Sequence, residues 1–587
     1  MSGLLRYCLK GIFSAKFARN TAKVFRKAVF SDHFVGLNLD FVSKEEWDKI
    51  LLDAEELCKG SYQIYNYPHF IHKDWLQDPI SGHRIKKAFN VTFIRISSLV
   101  GRVDVKNYWE MGHLHPVLTL AEAYWYTNNE KYAKRALEIA LSFIKANPCG
   151  KTIHWKCCMD VAIRAVNLCQ MAFLIRKNKE YLKKQSIIAE SLAEHMIFIS
   201  ENYENLGDRP NNHYLTDLTG VIVVGVFLDK NYPPCDLIQR LSADAVERLN
   251  AELKKQLYSD GFDYENSSYY HCFVTELVSA SLQTLKDNDV PFPNSMQKTC
   301  DKMLNICKWL GSFNQQLPLI GDQDGSRLYL PTGFFDFDRC NFSYLSKMNS
   351  FDSASHFNIT DSGIVKLQNG HLVAYIKCGN IGTGGKGVHD HNDQLSVTVF
   401  YRGMPIVIDS GTYLYTKAPA DRRKYRSTRA HSTLFIDGVE QNDIDSNLFY
   451  IKNGKSGKIN NYSATSFSGE FTYESGVVHA RRIVIYENEI IIKDKFSDPQ
   501  LSAHVQFIIP ENVKISHVEA RNVSCQSNAV SVQFVSDTNV SVHDISYSPA
   551  YGVEITGHSI VSQTFAGLNE TKISFSENCE NYTSLGW

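Results

Sequence analysis

The apolar residues of this chain change their spacing once, near residue 360, and that change limits the fold more than any other feature. From about residue 115 to 315 they recur at i, i+3 and i+4, the period of one helix face. The stretch HPVLTLAEAYWYTNNEKYAKRALEIALSFIKANP (115–148) reads as a helix, a Thr-Asn-Asn turn and a second helix stopped by Asn147-Pro148. Further helices are predicted over 156–177, 180–203, 211–228, 235–258, 266–287 and 294–312. Many helices on short loops imply antiparallel packing in a toroid or solenoid. After 360 the period becomes two. IVKLQNGHLVAYIKCG turns at Asn369-Gly370, QLSVTVFYRGMPIVIDSG turns at Arg402-Gly403, and RRIVIYENEIIIKDKF is a third hairpin. Such runs continue to the C-terminus, which predicts an antiparallel β-sandwich, with residues 315–360 as the connection. An interface between an α domain and a β domain is a usual place for a ligand.

Composition excludes more than it selects. A chain of 587 residues with a net charge of −1 carries no global field for nucleic acid, so an anionic substrate must be held by local cations. Fourteen cysteines lack CxxC spacing, and Cys157–Cys158 is the one close pair. That is neither a disulfide framework nor a zinc ribbon, and it suits a reducing compartment slightly better than a secreted one. The first 31 residues hold seven Lys/Arg and no Asp/Glu, with apolar residues at helical spacing. Charges interrupt this stretch too often for a signal peptide. It is expected to be a basic helix docked on the protein, with a membrane-surface helix as the alternative. No apolar run is long enough to span a bilayer, and LTGVIVVGVFL (218–228) suits a buried core helix.

Three segments concentrate polar chemistry. In RPNNHYLTD, an Asn N-cap accounts for one of Asn211 and Asn212 but not for the other, nor for His213. In DGFDYENSSYYHCFVTE (260–276), Glu265, Ser267, Tyr269, Tyr270 and His271 crowd a helix start beyond what capping requires. In VHDHNDQLSV (388–397), His389 and His391 are two apart and would share one face of a strand. Asp409 after a hairpin turn and His431 before the next strand can return to the same sheet end. Two imidazoles and a carboxylate are a plausible zinc shell. The HxHxD pattern also opens β-lactamase-type metallohydrolases, but Gln394 follows Asp393 where those place a histidine, and only strands follow.

Taken in order, several segments resemble the heparinase II/III family of polysaccharide lyases. They are DWLQDPISG (74–82), KNYWEMGHLHPVLTLAEAYWYT (106–127), IHWKCCMDVAIRAVNL (153–168), NNHYLTDLTGVIVVG (211–225), DGFDYENSSYYH (260–271), HDHNDQLSVTVFYRGMPIVIDSGTY (389–413), RSTRAHSTLFIDG (426–438) and YSPAYG (547–552). The resemblance implies an α+β multidomain chain. A basic helical segment (1–40) precedes an (α/α) toroid (41–335) and an antiparallel β-sandwich (336–587).

It also implies β-elimination at a uronic acid of an anionic polysaccharide. The sugar carboxylate is neutralised, the C5 proton is removed, and the C4–O bond breaks to leave an unsaturated sugar. By resemblance, Asn212 and His213 neutralise the carboxylate. Tyr270, in the pattern Ser267–His271, is the catalytic phenol, and His389 is the sandwich-domain catalytic histidine. A free Tyr has a pKa near 10, so to act as a base it needs positive charge from His271, His389 or a metal. Acting as both base and acid is open to it. His391, Asp409 and His431 match the ligands of a single divalent ion, zinc first, with manganese or calcium as alternatives. Trp155, Arg164, Glu265, His271 and Arg426 are substrate-binding candidates, while Arg429 is expected in a surface salt bridge. Two positions depart from the pattern: His113 lies where a cation usually follows the WE motif, and Asp160 stands where relatives tend to carry Glu.

The resemblance points to the periplasm or cell envelope, whereas the N-terminus shows no export signal, so a cytoplasmic or inner-membrane location stays open. Two other activities stay open as well: a metal-dependent hydrolase on the HxHxD cluster, and a non-catalytic glycan-binding or assembly protein.

Overall fold

Among the described residues, eleven helices of at least eight residues precede residue 311. They are α1 (Ser2–Thr21), α2 (Lys44–Cys58), α3 (Val105–Gly112), α4 (His115–Thr127), α5 (Glu130–Ala146), α6 (Cys158–Leu174), α7 (Lys179–Glu201), α8 (Asn212–Asn231), α9 (Asp236–Gln256), α10 (Ser268–Asp287) and α11 (Asn294–Leu310). The structure is a computed structural model and describes residues 2–577 apart from 206, 208–209, 312–316, 330–360, 446, 453, 528–529 and 565. The predicted boundary at 335/336 lies outside the described residues.

The Thr-Asn-Asn turn works through two asparagines with different roles. Asn128 takes the left-handed conformation (φ 56°) that ends α4, and the Asn129 side chain accepts from the Lys131 N–H to start α5. Helix α8 is buried nearly all round, as its unbroken apolar run requires, and packs against α6, α7, α9 and α10. The basic N-terminal segment is a docked helix. Ala15, Ala18, Ala22 and Phe25 face the helical core, Arg26 pairs with Glu190 at 2.8 Å, and Asn90 donates to the Gly11 carbonyl at 3.0 Å. No described helix is long and apolar enough to cross a membrane.

A short hairpin, β1 (Ser61–Tyr62) and β2 (Phe70–Ile71), lies within the helical half. Among the described residues, the remaining strands all follow residue 363. They are β3 (Ile364–Asn369), β4 (Leu372–Lys377), β5 (Ser396–Tyr401), β6 (Met404–Val407), β7 (Leu434–Ile436), β8 (Lys458–Tyr462), β9 (Ser466–Thr472), β10 (Val478–Tyr486), β11 (Glu489–Phe496), β12 (Ala503–Ile509), β13 (Lys514–Val518), β14 (Asn522–Gln526), β15 (Val530–Ser536), β16 (Val540–Tyr547), β17 (Ile555–Gln563) and β18 (Leu568–Glu577). Three antiparallel sheets result: β3-β4-β5-β6, β16-β17-β12-β7, and an eight-stranded β13-β14-β15-β18-β11-β10-β9-β8. The three predicted hairpins are β3–β4, β5–β6 and β10–β11. At the second, Arg402 and Gly403 both have positive φ (53° and 77°), the twist a two-residue hairpin needs. Inward residues of the three sheets, among them Leu367, Val399, Ile483, Phe507 and Ile573, share one core.

One buried cation ties that core to the loops that matter. Arg481 on β10 pairs with Asp494 on β11 (2.7 and 3.1 Å) and donates to the carbonyls of Leu395 (2.8 Å) and Ser432 (3.0 Å). Those carbonyls lie just before β5 and just after His431, so the guanidinium clamps the loops carrying the histidines. Arg481→Met leaves Asp494 buried with His479 Nε2, at 2.6 Å, as its remaining side-chain partner, a loss of about 3 kcal/mol. The expected result is a clearly lowered urea midpoint for loss of the β-rich circular dichroism signal.

Candidate active site at the domain seam

Two helix starts supply the helical wall. At α10, Ser267 caps the helix by accepting from the Tyr270 N–H at 3.1 Å and donates its own hydroxyl to the Asp322 carbonyl at 2.6 Å. This fixes the base of Tyr270, whose ring stacks on His389 with centroids 3.7 Å apart and planes 17° from parallel. Its hydroxyl lies 3.3 Å from that of Tyr415. At α8, Asn211 caps the helix through the His213 N–H, which frees Asn212 for other work. The backbone N–H of Asn212 donates to Glu265 at 2.7 Å and its side-chain amide donates to both Glu265 oxygens at 3.0 Å. The same amide is 3.5 Å from His389 Nε2, and Glu265 is 3.3 Å from that nitrogen. Phenol, imidazole, amide and carboxylate from three segments therefore meet at one point between the halves.

The group that joins them is Asp322, which the sequence reading passed over as part of a connection. Its carboxylate accepts from His389 Nδ1 (2.9 Å), His391 Nε2 (2.8 Å) and Thr412 Oγ1 (3.2 Å), and both oxygens are gripped by Arg422, one at 2.6 Å. Burial alone would push this carboxyl up; the Arg422 charge and the two imidazoles hold it well below the usual carboxylate range. Arg422 belongs to α12 (Pro419–Arg426), and its guanidinium lies over the Tyr415 ring, 4.7 Å from the centroid. Beside it, Asp324 pairs with Lys106 at 2.6 Å. Tyr551, from the YSPAYG segment, donates to Asp104 at 2.6 Å and accepts from the Tyr415 N–H at 2.9 Å. An Asp-Gly-rich LIGDQDG run ahead of the period change was the available signal for Asp322 and Asp324. Nothing local marked Tyr415 or Arg422.

His389 and His391 do not occupy a strand. They lie in the loop before β5, and Leu395, with φ 61°, ends that loop. They still converge, because each gives one ring nitrogen to the same Asp322 carboxylate. That leaves His391 Nδ1 buried without a hydrogen-bond partner, and His431 Nε2 is in the same state. The two rings are 5.3 Å apart, and His431 Nδ1 donates to Asp409 at 2.6 Å. Burial pushes His391 down to about 4, so it is a neutral imidazole with a free lone pair. A ligand histidine commonly has its other nitrogen on a carboxylate, as His391 does. Donor atoms of His391, Asp409 and His431 lie within 4.8 Å of one another, so the residues present fit a divalent cation.

The remaining candidates separate by position. Glu265 is in the constellation. His271, expected to lend charge to Tyr270, turns away: it stacks on Phe262 (4.8 Å), accepts from the Asp263 N–H at 3.1 Å and meets the Met303 carbonyl at 3.1 Å. Tyr270 instead has Asp324 and Asp322 for neighbours. Burial first, then those charges and Tyr415, push its phenol well above 10, so it is protonated at neutral pH. Trp155 donates to the Asn147 carbonyl at 3.0 Å inside the helical core. Arg164 is fully buried, with bonds to His195 and to the carbonyls of Gly112, Asp160 and His154. Arg426 clamps the carbonyls of Gly387, Asp390, Leu448 and Phe449. The hydrogen bonds of all three go to groups of the protein itself. Arg429 is exposed, 3.7 Å from Asp437, as expected. The two departures from the family pattern turn out to touch: His113 Nε2 is 2.7 Å from Asp160.

His213 lies at the edge of the constellation, 3.0 Å from Glu204. Burial alone would lower it, but the Glu204 charge and hydrogen bond raise it to about 9, so it is an imidazolium at neutral pH. Its folded value exceeds its unfolded one, so the stability it contributes is complete below about pH 6.5 and fades as pH rises through 9. The stability gap between the wild type and His213→Gln is expected to close between pH 7 and 9.5, read from denaturant midpoints. Asp322→Asn removes the charge that Arg422 and two imidazoles share. It should lower the melting temperature by an amount matching about 3–5 kcal/mol. It should also disorder the tyrosine near-ultraviolet dichroism more than Asp437→Asn at the exposed pair.

Two family models cover most of the chain: the heparinase II/III N-terminus over residues 22–328 and the heparinase II/III-like C-terminal domain over 352–575. A heparin-sulfate lyase of Pedobacter heparinus is 22% identical over 424 residues, which is 68% of this chain and 58% of that protein. Among solved structures, heparinase III superposes with a TM-score of 0.67 at 15% identity, covering 98% of this chain and 93% of that one. A heparan sulfate lyase from Pedobacter heparinus gives 0.56 at 16% identity, covering 96% and 88%. A Paenibacillus xanthan lyase gives 0.52 at 9%, covering 97% and 60%. The helical half, the antiparallel sheets and the two matched models agree: this chain belongs to the heparinase II/III family.

Proposed function

We propose that this protein is a polysaccharide lyase that cleaves a uronic-acid-containing glycan by β-elimination, with a glycosaminoglycan-type polymer as its substrate. The observation that carries the reading is the stack of Tyr270 on His389 with the Asn212 amide 3.5 Å from the imidazole. Both relatives from Pedobacter heparinus carry heparin or heparan sulfate in their names, which supports the polymer class.

The roles divide by protonation. Asn212 and the His213 imidazolium face the uronate carboxylate, and their hydrogen bonds and charge stabilise the enolate-like intermediate where charge develops. Asp322 holds His389 by Nδ1 and fixes the orientation of its ring, the positioning logic of an Asp–His dyad. Nε2 takes the C5 proton. The electron pair left on C5 forms the C4–C5 double bond as the C4–O4 bond breaks. Tyr270, which keeps its proton in this environment, delivers it to O4. Proton exchange between His389 and Tyr270 through solvent restores the resting state. Tyr270 and His389 are 3% and 4% exposed, so the seam must open to admit a sugar chain and close over it.

His391, Asp409 and His431 would hold one divalent cation, zinc by the N,N,O donor set, with manganese or calcium as alternatives. When bound it supplies positive charge that organises the sandwich loops. The cell envelope, by family resemblance, is the location consistent with a polymeric substrate.

The test is a panel of uronate polysaccharides followed by near-ultraviolet absorbance, since elimination creates a conjugated double bond and hydrolysis does not. Tyr270→Phe is expected to lower turnover by about 10²–10⁴-fold while glycan binding persists. New reducing ends without absorbance would favour a hydrolase on the histidine cluster. Binding without turnover would favour a binding protein.

A further inference from the structure

Outside the seam constellation, a second set of ligand-type side chains lies at the start of α8. The Cys157 thiol donates to Glu204 Oε2 at 3.4 Å and is 3.7 Å from His213 Nδ1. His213 Nδ1 is 3.0 Å from the same Glu204 oxygen. One sulfur, one nitrogen and one oxygen thus form a triangle. Ligands of a tetrahedral zinc ion, with bonds of about 2.0–2.3 Å, sit about 3.3–3.6 Å apart, close to these three edges. A second observation points the same way. Asp160 lies beside the Cys157 thiol, is 4% exposed, and has one carboxylate oxygen with no hydrogen-bond partner. The neighbourhood therefore holds more anionic donor than the protein itself uses.

A third group, Glu110, His113 and His115, has similar chemistry but a different balance. There Arg327 lies 3.3 Å from Glu110 and already supplies the cation. No Lys or Arg makes a comparable contact with Cys157, Glu204 or His213 among the described residues.

We propose that Cys157, Glu204 and His213 form a second cation site, selective for thiophilic divalent ions such as zinc and cadmium. A bound ion takes His213 Nδ1 as a ligand, in place of its 3.0 Å contact with Glu204, so that nitrogen is no longer available to a substrate carboxylate. It also ties the residue after Asn212 to Glu204 and Cys157. The site is thereby a means of inhibition by metal. That consequence rests on the reading of His213 as a carboxylate-neutralising group, whereas the binding itself does not.

The test uses the full chain, stripped with a chelator and titrated with cadmium. The wild type is expected to show a cadmium–thiolate charge-transfer band that saturates at one ion. Cys157→Ser abolishes the band, and Cys158→Ser, whose thiol faces the Asn202 carbonyl, keeps it. His391→Ala in the sandwich also keeps it. Glu204→Gln keeps the band and weakens binding by at least the about 10–100-fold that loss of an outer-shell partner costs. This variant decides the matter if Cys157→Ser does not fold. Absence of the band in the wild type, or its persistence unchanged in Cys157→Ser, overturns the site. In the activity arm, zinc should inhibit the wild type and spare Cys157→Ser. Equal inhibition of both would break the link to catalysis while the band still reports the site.

Discussion

The buried carboxylate of Asp322 is the interaction on which the arrangement depends. It comes from the segment between α11 and β3, and it meets two imidazoles of the β5 loop and the guanidinium of α12. An ionised carboxylate away from water is tolerated only when its charge and lone pairs are satisfied. Here Arg422 supplies the charge and His389, His391 and Thr412 supply the hydrogen bonds. One anion thereby sets the orientation of both the proposed base and one proposed metal ligand. A shift in either group is felt by the other through the shared carboxylate, one imidazole on each oxygen.

Around that anion, each half of the molecule positions what the other needs. The helical half offers Tyr270 and Asn212 from helix starts, where caps hold the backbone. The sandwich offers His389 from a loop clamped by Arg426, and Arg481 clamps the end of the same loop and the segment after His431. Asp104–Tyr551 crosses the seam close by, and Lys106–Asp324 ties the segment carrying Asp322 to the helical half. A constellation built on rigid, hydrogen-bonded supports keeps its donors aimed without reorganising during reaction.

The motif residues were legible where a local rule left something unexplained. At NNH, capping uses Asn211, and the surplus Asn212 is the one in the site. At SSYYH, Ser267 is the cap and Tyr270 the surplus, but His271 is packed on Phe262 and serves the fold. Trp155, Arg164 and Arg426 read as binding residues because a charge or a large aromatic in a family segment suggests contact with a sugar. Their hydrogen bonds go to buried carbonyls instead, a partner type that a one-dimensional reading does not reveal. The His113–Asp160 contact makes the same point from the other side: two separate departures from a pattern touch in space.

The order of helices then strands, the hairpin turns and the helix caps followed from the sequence alone, because period, turn chemistry and capping are local and act over a few residues. What only the tertiary structure decided was which polar groups share a space. Asp322 with His389, Tyr270 with Tyr415, and Cys157 with His213 are separated by 67, 145 and 56 positions. The energetics of a buried charge depend on all its neighbours at once, so protonation, orientation and role were set by packing across the seam.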